Sequence, residues 1–155
     1  MTEINGLRLA YRGFITGLAA SYVWLALAMA ASGLLLGDAL APLRPVAAAV
    51  SPNATSPELA FVIGLMTVQA GGGLVGICFA YFFARFFTVR GTVVLAAPAF
   101  TLLAWTLLHA GLSTLTTVPA GVAPVAAFAC LGYGLLLGVG VPVRGEVVRA
   151  QSPVT

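Results

Sequence analysis

Four long apolar stretches, separated by short polar or proline-rich segments, dominate the pattern of the sequence. They cover about residues 13–37, 59–83, 92–115 and 120–141, and none contains Asp, Glu, Lys or Arg in its interior. A membrane-spanning α-helix needs roughly 20 consecutive apolar residues, so each stretch is long enough to cross a bilayer. The sequence therefore predicts an all-α fold over residues 1–155, an integral membrane four-helix bundle in a single domain.

Local signals mark the ends of these predicted helices. Ser56, Pro57 and Glu58 open the second one with a capping hydroxyl, a proline in the first turn and an acid at the positive end of the helix dipole. Pro98 lies inside the third stretch and is expected to kink that helix. Pro142 ends the fourth, and a polar tail follows over residues 142–155.

The connection between the first two stretches, residues 38–57, is the only long one. Four prolines interrupt it (Pro42, Pro45, Pro52 and Pro57), so no continuous helix is expected there. Its middle part, residues 45–50, is apolar enough to lie in the membrane interface or against a partner. Pro45, Val46 and Val50 are the residues predicted to make that contact.

Composition makes a water-soluble fold untenable. The chain is 61% hydrophobic and only 7% charged, with a mean hydropathy of +1.07, whereas a soluble domain carries about 25% charged residues. Lipid is therefore the expected solvent. The net charge of +3 does not indicate nucleic acid, because no basic cluster is interleaved with aromatic residues.

The arginines predict an orientation. Six of the seven flank the stretches on one side, and Arg44 alone lies on the other; the six are Arg8, Arg12, Arg85, Arg90, Arg144 and Arg149. Loops rich in arginine stay in the cytoplasm, so both termini are predicted to be cytoplasmic. The expected location is the cell's inner, cytoplasmic membrane, crossed by several helices.

Small residues recur at four-residue spacing on three of the stretches. They are Gly13 and Gly17, then Gly72 and Gly76, then Gly134 and Gly138. Such pairs let helices approach closely in lipid, and we interpret them as bundle-packing faces, with a homo-oligomer as the alternative. Gly71, Gly72 and Gly73 are consecutive, so either a neighbouring helix or a flat ligand is expected to pack closely there, or the helix is distorted.

The spans carry little that could support chemistry. Proton relays and coupled transport use ionisable residues inside the membrane, and the absence of Asp, Glu, Lys and Arg from the interiors of the spans argues against these functions. His109 is the only histidine. It could ligate a single haem or a chlorophyll-type pigment, but a neutral imidazole near the interface is the simpler interpretation, and no cofactor is predicted. Gln69 could share a layer of the bundle with His109 and hydrogen-bond to it, and this structural role is the favoured interpretation. Cys78 and Cys130 form no C-x-x-C pair, so no metal site is predicted.

Two glycine-based motifs resemble a known family. The segment from Arg12 to Gly17, with the Leu-Ala-Ala that follows, looks like the first helix of small uncharacterised four-helix bacterial membrane proteins of unknown function. Gly132-Tyr133-Gly134 with Gly138 resembles that family's closing motif. Gln69 stands where the family often has a histidine, which weakens any histidine-based role. The resemblance implies a fold and no activity.

Three functions fit these observations. The first is a non-catalytic accessory or structural subunit that packs against a larger membrane protein complex, of respiratory or photosynthetic type. The second is a binding module for an apolar ligand such as a quinone, lipid or pigment, with contacts from His109, Gln69 and Gly71–Gly73. The third is a minimal oligomeric transporter or channel, which only a few threonines could line. No nucleophile with a base and an orienting group can be assembled, so the protein is not expected to be an enzyme.

Overall fold

The structure, a computed structural model, describes residues 6–53 and 55–142. It contains five α-helices in this part of the chain and no strand: α1 (Gly6–Leu36), α2 (Leu43–Val50), α3 (Pro57–Cys78), α4 (Arg90–Leu115) and α5 (Val122–Gly140). A π-helical turn, Phe79–Phe83, and a 3-10 turn, Ala84–Phe86, continue α3. Four helices, α1, α4, α5 and α3 with its π turn, are long and apolar enough to cross a membrane.

The predicted all-helical fold and its four long apolar helices are confirmed, with limits close to those predicted. The largest difference is at α1, which begins at Gly6 although the first apolar stretch begins at residue 13. Arg8 and Arg12 are exposed there while Leu9 is buried, so the two charges lie outside the core and do not interrupt the helix. The predicted tail falls outside the described residues, apart from Pro142.

The connection at residues 38–57 is more regular than expected, because it contains α2. Pro42 precedes this helix and Pro45 lies in its first turn, where a proline's missing N–H costs no hydrogen bond. Gly37, with a φ of +71°, ends α1. The Asp38 carboxylate then accepts a hydrogen bond of 3.0 Å from the Leu40 amide, and so shapes the turn into α2.

The four long helices follow an order in space that differs from their order in the chain. α1 packs against both α3 and α5, and α4 packs against α5. α2 lies on α3 and also reaches α4. At the opposite end of the bundle, the Phe100 ring of α4 lies 5.3 Å from that of Phe79 and 4.8 Å from that of Phe83. α3 and α4 are thus bridged near both ends of the bundle.

Two ends of the bundle can be distinguished by their charges. At one end, here called the arginine end, α1 and α4 begin and α3 and α5 end. This end carries Arg8, Arg12 and Arg90. The loop end, which includes α2, carries Asp38, Arg44 and Glu58. Arg44 pairs with Asp38 over 3.3 Å, which is the ion pair seen within the described residues. Both acidic residues that the structure describes are therefore at the loop end.

Candidate functional site

The structure brings the glycines of α1 and α3 directly against one another. A methyl group added at Gly13 would lie 2.5 Å from the carbonyl oxygen of Gly76 and 2.6 Å from the Cβ of Ala80. One added at Gly17 would collide with the carbonyl oxygen of Gly72, and one added at Gly76 with that of Gly13. Because the obstacles are backbone atoms, the two helices would have to move apart to accept any side chain here.

The glycines of α5 serve the same purpose against α4. A Cβ at Gly134 would lie 2.5 Å from the Cα of Pro98, and a Cβ at Gly138 would lie 2.8 Å from the Cα of Val94. Pro98 lies inside α4 without ending that helix. The segment of α4 that contains the proline thus packs against these two glycines, which are one helical turn apart.

The three consecutive glycines of α3 have three different environments. The space beside Gly72 is occupied by the Ser21 hydroxyl, and a Cβ at Gly73 would lie 2.6 Å from the Phe14 ring, so α1 covers both. Gly71 has open space beside it. α3 stays α-helical through all three. A neighbouring helix therefore fills the place that a flat ligand would need at Gly72 and Gly73.

Three hydrogen bonds from side chains to backbone carbonyls connect α5 with each of its neighbours. The Tyr133 hydroxyl of α5 donates to the carbonyl of Gly72 in α3 over 2.6 Å. The Trp24 indole of α1 donates to the carbonyl of Ala126 over 3.2 Å. The Thr101 hydroxyl of α4 donates to the carbonyl of Cys130 over 2.9 Å. α5 thus shares a side-chain hydrogen bond with each of α1, α3 and α4.

The pattern of the sequence does not mark these three side chains as links between helices. A tyrosine and a tryptophan in an apolar stretch are ordinary core or interfacial residues, and a threonine usually bonds to its own helix. Thr101 does so as well, donating to the carbonyl of Pro98 over 3.0 Å. The one available signal was Tyr133 itself, which is flanked by Gly132 and Gly134 in an otherwise apolar helix.

The predicted hydrogen bond between Gln69 and His109 is not formed. Gln69 Nε2 and His109 Nδ1 are both buried, and neither has a hydrogen-bond partner among the described residues. The imidazole of His109 instead stacks on the Trp105 ring, with centroids 5.5 Å apart and planes 29° apart. The prediction was wrong because α3 packs mainly on α1 and α4 mainly on α5, so similar depth in the bundle does not make these two residues partners.

The cysteines and threonines do not converge on a common site. Cys130 is buried and Cys78 is exposed, and both thiols are free. Within residues 6–53 and 55–142, no three side chains of the metal-binding types lie close enough to hold an ion. Thr101 is buried between α4 and α5, whereas Thr106 is exposed and donates to the carbonyl of Leu103 in its own helix. Thr101 and Thr106 therefore line no shared path in the part of the chain that the structure describes.

The residues predicted to contact a partner lie at different depths in α2. Pro45 is buried within the chain itself, Val46 is half-buried, and Val50 is exposed. Leu43, which is completely buried, packs against α3 beside Gly64, where a Cβ would lie 2.9 Å from the Leu43 Cβ. α2 is thus held to the bundle by its buried face, and Val50 is the predicted contact residue that reaches the surface.

Arg90 makes a contact that the sequence did not reveal. Its Nη1 donates to the carbonyl of Val141 over 3.1 Å and to that of Gly138 over 3.4 Å, and it also contacts the carbonyl of Val139. These carbonyls lie in the last turn of α5 and at the residue that follows it. Carbonyl groups at the end of a helix have no hydrogen-bond partner within that helix. The first residue of α4 therefore caps the last turn of α5 with a positive charge, where the helix dipole favours one.

Comparisons with protein-family models, with curated proteins and with solved structures found no match to this chain.

Proposed function

We propose that the protein is inserted in the cytoplasmic membrane through α1, α3, α4 and α5, with both termini in the cytoplasm, and that it is a non-catalytic accessory subunit of a larger membrane assembly. The distribution of charge supports the insertion and its direction. Arg8, Arg12 and Arg90 are at one end, while the two described acidic residues are at the other. Cytoplasmic segments are the ones enriched in arginine.

The observation that carries the subunit proposal is the unequal burial of the four long helices. In the most apolar segment of α5, 50% of the residues are buried within the bundle, and in that of α1, 33%. The corresponding values are 22% for α4 and 17% for α3. α3 and α4 thus have fewer residues buried within the chain than α1 and α5, and more residues that can make contacts outside it.

α4 offers a face suited to another membrane helix. Thr92, Ala99, Thr106 and Ser113 are all exposed and are spaced seven residues apart, so they lie along one side of the helix. The hydroxyls of Thr106 and Ser113 donate to carbonyls of their own helix, so this line of short side chains, flanked by the exposed Leu95 and Leu103, is mainly apolar. Small residues allow a second helix to approach closely where lipid supplies no hydrophobic driving force. The partner that fits is a transmembrane helix of another subunit.

Complexes of the respiratory or photosynthetic type are the proposed hosts, because they contain small spans without chemistry of their own. The test is to solubilise native membranes in a mild detergent and to follow the tagged chain by native electrophoresis. The wild type is expected to migrate with a larger complex. If it migrates alone, the subunit proposal fails.

A matched pair of variants locates the contact. Ala99→Leu enlarges the exposed face of α4, and Ala19→Leu makes the same change on the exposed face of α1. Ala99→Leu is expected to release the chain from the complex, while Ala19→Leu is not. If both variants remain in the complex, the face of α4 is not the contact.

A second function, binding of an apolar ligand with a polar group, is supported by a different observation. Among the described residues, the buried Nε2 of Gln69 and Nδ1 of His109 each lack a hydrogen-bond partner, and a buried polar group without a partner costs about 1–3 kcal/mol. A quinone carbonyl or a pigment could supply the missing partner to one of them. An absorption spectrum and mass spectrometry of extracted lipids from the purified protein test this. A colourless protein without a stoichiometric ligand rules it out.

A further inference from the structure

The first turns of α1 carry two arginines on the exposed face of the helix. Arg8 and Arg12 are four residues apart, so their side chains lie on the same side. Tyr11 lies beside them and is 65% exposed. The same face continues through the exposed Ile15 and Tyr22. An apolar strip along α1 thus leads directly to a pair of positive charges at the arginine end.

No carboxylate neutralises this pair within the described residues. Asp38 and Glu58 are both at the loop end, and the ion pair found there uses Arg44. Two like charges one helical turn apart repel each other, and Arg8 also lies in the first turn, where the helix dipole is positive. Charge complementarity therefore calls for an anion that both guanidinium groups can reach.

Aromatic side chains surround the same end of the bundle. Gly6, at the start of α1, lies against the ring of Tyr81, which belongs to the π turn after α3. Phe82 and Phe86 are also exposed there. Tyrosine, whose ring is amphipathic, is enriched at the level of the lipid headgroups, and Tyr81 is the residue of this type here. The arginine pair is thus at the depth of the phosphate groups if the chain is inserted as proposed.

We propose that Arg8 and Arg12 bind the phosphate of a phospholipid with a net negative headgroup, whose acyl chains lie along the exposed face of α1. A guanidinium group matches a phosphate with two parallel hydrogen bonds, and two such groups select for negative charge. The lipid is favoured over a soluble anion because the apolar strip through Ile15 and Tyr22 begins where the charges end. This inference rests on the proposed insertion in a membrane.

The test uses the purified full-length chain in detergent, titrated with phosphatidylglycerol or with phosphatidylcholine and followed by native mass spectrometry. The wild type is expected to retain phosphatidylglycerol in preference to phosphatidylcholine. Arg8→Gln/Arg12→Gln is expected to lower that preference on the order of tenfold. Arg8→Lys/Arg12→Lys keeps the charges but loses the paired guanidinium hydrogen bonds, so its preference is expected to lie between those of the wild type and the glutamine variant. Arg44→Gln, at the loop end, is the matched control and is expected to leave the preference unchanged.

Several results would overturn the inference. It fails if the wild type does not distinguish the two lipids, if the glutamine variant behaves as the wild type, or if Arg44→Gln has an equal effect. It also fails if millimolar inorganic phosphate displaces the lipid, because the site would then be a general anion site. Bilayer insertion is measured separately, by flotation with vesicles after alkaline washing. A chain that floats but shows no lipid preference refutes only this inference, whereas a chain that does not float refutes the proposed membrane function.

Discussion

The hydroxyl of Tyr133 donates a hydrogen bond of 2.6 Å to the carbonyl oxygen of Gly72, a glycine at which α3 packs closely against α1. The same glycine is covered on its other side by Ser21, whose hydroxyl donates to the carbonyl of Gly17 over 2.8 Å. One residue of α3 is therefore in contact with both α1 and α5. This junction makes the packing of the bundle testable with small substitutions.

Removing the Tyr133 hydroxyl should weaken the bundle without changing its shape. Tyr133→Phe leaves the buried ring in place and deletes only the hydrogen bond to Gly72. Hydrogen bonds between helices in lipid contribute on average about 0.6 kcal/mol, and at most about 1.7 kcal/mol. We expect a loss in this range in the free energy of unfolding, measured by titration of mixed micelles with dodecyl sulfate.

The control for this variant is Tyr22→Phe, because Tyr22 is exposed on α1. It should leave the free energy of unfolding unchanged. Equal stability of Tyr133→Phe and the wild type would show that the hydroxyl is not used as the structure indicates.

The neighbouring glycines Gly71 and Gly72 should respond differently to the same substitution. Gly72→Ala places a methyl group against Ser21, and we expect a loss of about 1–3 kcal/mol, as for other overpacked sites. Gly71→Ala places its methyl group in open space, and the better helix propensity of alanine should leave stability unchanged or raise it by up to about 1 kcal/mol.

The same unfolding titration measures both glycine variants. Similar losses for the two would mean that the α1–α3 interface is not centred on Gly72. A large loss for Gly71→Ala alone would indicate that the helix is rotated relative to the structure.

Arg90 should control the order of the last turn of α5. Arg90→Gln removes the positive charge that contacts the carbonyls of Gly138 and Val141. A charge at a helix C-terminus contributes about 0.3–1 kcal/mol, so the amide of Val141, which bonds to Leu137, should exchange its hydrogen up to about fivefold faster. Hydrogen–deuterium exchange with mass spectrometry measures this directly.

Arg44→Gln is the control for the exchange experiment, because Arg44 is at the loop end and pairs with Asp38. It should not alter exchange in α5. Unchanged exchange at Val141 in Arg90→Gln would refute the capping role.

The sequence was sufficient to predict the four long helices, because an apolar stretch of membrane length without charge has few other solutions. It did not predict α2, since four prolines within residues 38–57 argue against a helix unless their positions within it are known. Pro45 is tolerated only because it lies in the first turn of α2.

Which helices are neighbours in the bundle could not be predicted from the sequence, for a physical reason. The glycine pairs of α1, α3 and α5 are nearly alike, so they predict close packing but do not say which helix meets which. The mistaken pairing of Gln69 with His109 had the same cause, because it assumed that α3 and α4 are in contact at the depth of these two residues. The hydrogen bonds of Tyr133, Trp24 and Thr101 depend on the order as well, and were missed with it.

The central claim is that four helices cross the membrane with the arginine end on the cytoplasmic side. It is tested most directly by labelling single cysteines in intact cells with a maleimide reagent that does not cross membranes. In a background of Cys78→Ala/Cys130→Ala, the positions to label are Asn53 and Thr117 at the loop end and Thr88 at the arginine end, all of which are exposed.

Asn53→Cys and Thr117→Cys should react in intact cells, whereas Thr88→Cys should react only after the membrane is opened. Reaction of Thr88→Cys in intact cells, or protection of Asn53→Cys and Thr117→Cys, would contradict the proposed orientation. Reaction at all three positions in intact cells would contradict the four spans themselves.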